Sequence, residues 1–152
     1  MQFSKSIIAG LLSISSMAAA RVTGITLPKQ VATGSNFTAF INTENYIQSI
    51  ADVSIAFGAA PAEYAYEKTL GTVLLAEKTL GPELSNVIQN ISIPLTIPAD
   101  FQKGETLITA SLFSLTGARY SGTIQYFNVS VTVADVTDAS EFVSSDSFVS
   151  VY

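Results

Sequence analysis

The sequence predicts an all-β protein: an antiparallel, immunoglobulin-like β-sandwich of about seven strands, with a short helical turn and a mobile C-terminal tail. Three observations carry that expectation. Apolar and polar residues alternate with period two in one segment after another, as half-buried strands require. Gly, Pro, Asn and Ser punctuate those segments at short spacing. No long stretch shows the apolar stripe of an amphipathic helix. A small open β-barrel is the alternative fold for the same pattern.

Residues 1–20 stand apart from the domain. Lys5 opens a short basic start, Ile7, Ile8, Ala9, Leu11, Leu12 and Ile14 form an apolar run, and Ala18-Ala19-Ala20 supplies small residues. That order is the pattern of a secretory signal peptide, with cleavage after Ala20. The run is shorter than the roughly 20 apolar residues that span a bilayer. The domain is expected over 21–134 and the tail over 135–152.

Within the domain, Val22–Leu27 reads as a first strand stopped by Pro28, which has no N–H for a ladder. After the Thr33-Gly34-Ser35 turn, Phe37, Ala39 and Ile41 face one way, and Thr38, Phe40 and Asn42 the other. Asn42–Gly58 is the central stretch. A polar turn carrying Tyr46 and Ile47 leads into a strand with Ala51, Val53, Ile55 and Phe57 on one face and Asp52, Ser54 and Ala56 opposite. Pro61 introduces a few residues of helical composition. Thr72–Glu77 reads as an edge strand between two copies of Glu-Lys-Thr-Leu-Gly, at 67–71 and 77–81, which predict similar flanking turns.

Asn86–Ile97 places Val87, Ile91, Ile93, Leu95 and Ile97 in one phase, with Pro94 in the outward phase as at a sheet edge. Thr106–Leu115 is apolar in both phases, which places it centrally, and Phe127, Val129, Val131 and Val133 close the core. From Ala134 onward Ser and acidic residues dominate, and the pattern of a packed strand fails.

Composition narrows the function classes. Without Lys5, six basic residues face twelve acidic ones, and no basic cluster exists to meet nucleic acid or an anionic membrane. The chain has no cysteine, so its stability is expected to be independent of redox potential, and a monomer without disulfides is expected. It has no histidine either, which removes Ser-His-Asp and Cys-His catalysis and leaves only carboxylates for a metal. No catalytic residue, cofactor or metal ligand is therefore assigned.

Three carboxylate pairs, Glu63 with Glu67, Glu77 with Glu83, and Asp100 with Glu105, read as solvated turn residues rather than a glycosidase dyad. Asn36, Asn90 and Asn128 each open an Asn-x-Ser/Thr sequon. Each falls in the outward phase of its strand, where a glycan clears the core. Tryptophan is absent; Tyr46, Tyr64, Tyr66, Tyr120 and Tyr126 are the tyrosines available to stack on a sugar.

Three stretches carry a resemblance. They are Glu44–Ser49 running into Ile55-Ala56-Phe57-Gly58, then Leu80–Val87, then Ala110–Leu115 with Gly117-Ala118. In order and spacing the chain resembles the necrosis-inducing secreted effector family of plant-associated filamentous fungi through about Val133. The resemblance implies a secreted effector acting at the host–fungus interface and entering host cells. It implies binding and inhibition of the co-receptor kinase of plant pattern-recognition receptors and of receptor-like cytoplasmic kinases. Suppressed pattern-triggered immunity and a capacity for cell death would follow. Tyr46, Ile47, Leu80 and Pro82 are the partner-binding candidates, because they sit in turns and lack a strand phase. A secreted cell-wall or carbohydrate-binding module is the alternative function.

Overall fold

The computed structural model describes residues 19–145 and 148–151; residues 1–18, and with them most of the expected signal peptide, lie outside that range. The described residues form nine strands: β1 (Ala19–Ala32), β2 (Asn36–Tyr46), β3 (Ile50–Pro61), β4 (Val73–Thr79), β5 (Ile91–Thr96), β6 (Gly104–Thr116), β7 (Ser121–Ala134), β8 (Asp138–Ser144) and β9 (Phe148–Val151). Among the described residues helix is limited to a 3-10 turn at Ala62–Tyr64 and a single turn, α1, at Gly81–Leu84.

All nine strands belong to one sheet, whose main path runs β4-β3-β6-β7-β1-β2-β5. The end strands β4 and β5 meet without a ladder between them, so the sheet curls into a nearly closed barrel. The expected two-sheet immunoglobulin-like sandwich is therefore replaced by its barrel alternative. β1 is the cause. Its first half pairs antiparallel with β2, Gln30–Ala32 pair parallel with β7, and β8 pairs antiparallel with the stretch between. A strand that changes partners joins what would otherwise be two sheets, and alternation alone does not encode such a change.

Pro28 sits at this exchange rather than at the end of the strand. The register shifts between Pro28 and Gln30, where the missing N–H would otherwise interrupt a continuous ladder. The tail also departs from expectation. β8 adds to β1 and β9 adds antiparallel to β7, where β1 has left that edge open. β8 is exposed along nearly its whole length, so no apolar alternation marked it.

The core follows the predicted phases in most strands. Phe37, Ala39 and Ile41 of β2, Ile91, Ile93 and Leu95 of β5, and Phe127, Val129, Val131 and Val133 of β7 all pack into one cluster with Ile55, Phe57, Ile108 and Leu112. β6 is central, between β3 and β7, as its two apolar phases predict. Gly58 lets the 67–72 loop lie against β3: a Cβ there would stand 2.2 Å from the Leu70 carbonyl oxygen.

Candidate functional site

The site is the barrel end where the β2–β3 loop, the β6–β7 turn and α1 converge. Its anchor is Asp52, which the alternation places outward but the structure turns inward, at 1% exposure. The register shift between Asp52 and Ser54 inserts one extra residue into β3, and a slip of one residue exchanges the two faces. One Asp52 carboxylate oxygen accepts the Ser114 hydroxyl at 2.6 Å and the other accepts the Val22 N–H at 3.4 Å. The Asp52 N–H donates to Ser85 Oγ at 2.7 Å. One residue thus ties β3 to β6, to β1 and to the end of α1.

Burial holds the Asp52 carboxyl above its ordinary value of 3.8, against the opposing hydrogen bonds from Ser114 and Val22. Further bonds fasten the loops around it. Gly117 N–H donates to the Ser49 carbonyl at 2.9 Å, Leu80 N–H to Val53 at 2.9 Å, and Gln89 N–H to Thr43 Oγ1 at 3.0 Å.

The four sequence candidates separate on this frame. Ile47 is fully exposed, at 100%, and Pro82 is exposed on α1. Tyr46 is half-buried: its hydroxyl donates to Gln48 Oε1 at 2.9 Å, and the Arg21 guanidinium lies 4.6 Å from its ring centroid. Leu80 is 3% exposed and packs in the core cluster, so its side chain closes the barrel end and is not available as a surface anchor. Two more exposed residues stand at the same end: Tyr120 at 67%, which the sequence offered only for stacking on a sugar, and Ile88 at 54%, which it did not mark. Tyr120 occupies a left-handed backbone conformation, φ 52°, in the turn after Gly117. Its position after a Gly-containing loop was the available signal.

Asn36, Asn90 and Asn128 are all exposed. Asn36 Oδ1 accepts the Thr96 hydroxyl across the β2–β5 pair. The six paired carboxylates are exposed as well, and Glu63 accepts a hydrogen bond from Gln102 at 3.2 Å. Among the described residues no three His, Cys, Asp or Glu side chains are grouped to hold a metal. No helix among them is long and apolar enough to cross a membrane.

Fold and site together define a small β-barrel that presents apolar loop residues at one braced end. The chain belongs to the Nis1 family, whose model matches residues 18–132. It is 51% identical to Necrosis-inducing secreted protein 1 of Colletotrichum orbiculare over 90% of this chain and 83% of that protein. It is 45% identical to the protein of the same name from Colletotrichum higginsianum, over 90% of this chain and 94% of that one. Like these relatives it is a secreted protein. Among solved structures, a superoxide reductase (neelaredoxin) from Ignicoccus hospitalis aligns with TM-score 0.50 and 11% identity, covering 78% of this chain and 85% of that one. That likeness is one of fold alone. The family match ends before β8 and β9, which add strands to the matched barrel.

Proposed function

We propose that this protein is a fungal effector that provokes host cell death and acts without catalysis, by docking on plant immune kinases and inhibiting them. The partners are the co-receptor kinase of pattern-recognition receptors and its receptor-like cytoplasmic kinases, and the consequence is damped pattern-triggered immunity. Relatives named for necrosis induction support the cell-death part of this reading. The observation that carries the docking part is the braced loop end. Ile47, Tyr120 and Ile88 stand exposed on loops held by backbone hydrogen bonds and by the buried Asp52 cluster. Rigid loops lose little conformational freedom on binding, and exposed aromatic and aliphatic anchors supply most of the energy of a protein interface.

Co-precipitation of the secreted protein with the kinase cytoplasmic domains tests the partner. Ile47→Ala combined with Tyr120→Ala is expected to raise the dissociation constant about thirtyfold or more with the melting temperature nearly unchanged. Wild-type protein that captures neither kinase would overturn the reading. The three exposed sequons are proposed to carry glycans, so glycosidase treatment should lower the mass of the secreted chain.

A further inference from the structure

A second candidate site lies on the outer face of the β4-β3-β6-β7 segment of the sheet. The strand registers set its shape. Thr79, Ser54, Phe113 and Ile124 form one row across the four strands, and Glu77, Ala56 and Ser111 begin the next. Between β4 and Phe113 the outer face therefore carries only small side chains, Ser54 and Ala56 of β3 and Ser111 of β6, all half-buried. Larger groups stand on either side, polar on β4 and apolar at Phe113 and Ile124. The result is a trough of about 420 Å³ with a polar wall and an apolar wall.

We propose that this trough binds a neutral oligosaccharide. Three features select that ligand. Phe113 is 39% exposed, and its ring edge lies over Gly122, where a Cβ would come within 3.2 Å of Cε2. The ring thus rests across the β6–β7 pair at Gly122 while part of its apolar surface stays open to solvent. A pyranose with equatorial hydroxyls has an apolar C–H face that packs on such a ring. The opposite wall supplies the Glu77 carboxylate and the Thr79 hydroxyl, and Ser54 and Ser111 add hydroxyls to the floor. Sugar hydroxyls both donate and accept, so a mixed set of this kind suits them. With Glu77 and Lys78 both at the lining, its formal charge is zero, which favours an uncharged ligand over an acidic one.

The floor argues against an extended peptide. β3 and β6 are each flanked on both sides by paired strands, so their backbone N–H and C=O groups are engaged within the sheet. A peptide laid in the trough would find no free edge for strand addition. A volume within the ordinary range for small-ligand sites, about 300–1,000 Å³, leaves room for more than one sugar ring. This site uses none of the side chains assigned to kinase docking.

The test is titration of the isotope-labelled secreted protein with cellohexaose, laminarihexaose and chitohexaose, read by amide chemical shifts. At least one is expected to shift Ser54, Ala56, Ser111 and Phe113 together at millimolar concentration. Phe113→Ala removes the stacking surface and should weaken that binding about tenfold. Ala56→Leu fills the floor while leaving Phe113 in place, and should also weaken it; this variant decides the matter should Phe113→Ala fail to fold. Leu74→Ala, exposed on β4 outside the trough, should leave binding unchanged. Absence of shifts with all three sugars, shifts confined to the loop end, or binding indifferent to Ala56→Leu would each overturn the proposal.

Discussion

Asp52 is the residue on which the loop end depends, and its chemistry makes a signed prediction. Its raised pKa means that the folded chain holds the proton more tightly than the unfolded chain does. Between the ordinary carboxyl value and the raised one, the folded state binds more protons, so this group's contribution to stability falls as pH rises through that window. It is fully present below 3.8 and lost above the raised value. Melting curves across the acid range should show this dependence in the parent and a flatter profile in Asp52→Asn; parallel profiles would remove Asp52 as the source. Asp52→Ala leaves the buried Ser114 hydroxyl and Val22 N–H without their acceptor, and should cost about 1–3 kcal/mol for each group so stranded. Leu80→Ala should cost about 2–5 kcal/mol as a core truncation. A Leu80→Ala protein as stable as the parent would return that side chain to the surface.

At the scale of elements, β8 and the 67–72 loop behave as opposites. β8 is held by surface contacts: Lys29 with Glu141 at 2.9 Å, Thr26 with Ser144 at 2.7 Å, and Phe142 against Phe40 with ring centroids 6.1 Å apart. With only Val143 partly buried against the core, β8 should open without the barrel. Native-state hydrogen exchange should find its amides exchanging well before those of β6. Exchange of both at one common free energy would make β8 an integral strand. The 67–72 loop is instead pressed onto β3 through Gly58, and Gly58→Ala should destabilise by about 1–3 kcal/mol through overpacking against the Leu70 backbone. The alternation in Asn36–Ile41, Ile91–Ile97 and Phe127–Val133 made those strands and their buried faces legible. β8 was not legible, because a strand exposed on both faces carries no periodic apolar signal.

For the whole molecule, the barrel rests on one apolar cluster without a covalent cross-link. A reducing agent should leave the thermal midpoint unchanged; a shift would point to an effect outside thiol chemistry. N-terminal sequencing of secreted protein is expected to begin at Arg21. Cleavage there removes only Ala19 and Ala20 from β1, leaving the pairing of Arg21 with Glu44 and all that follows. Secreted protein that begins at Met1 would refute the processing reading.

The all-β class, most of the core and the family were legible in the order of the residues alone. Those properties are written locally, in the period of each strand and in short ordered motifs. Tertiary structure decided what depends on partners distant in the chain. It turned β1 from a short strand into the seam of one sheet, since strand exchange leaves the alternation on either side of Pro28 unchanged. It reversed Asp52 through a single inserted residue, which composition does not mark. It also separated Leu80 from Ile47: both are turn residues in sequence, but only the fold determines which one the core encloses and which one water meets.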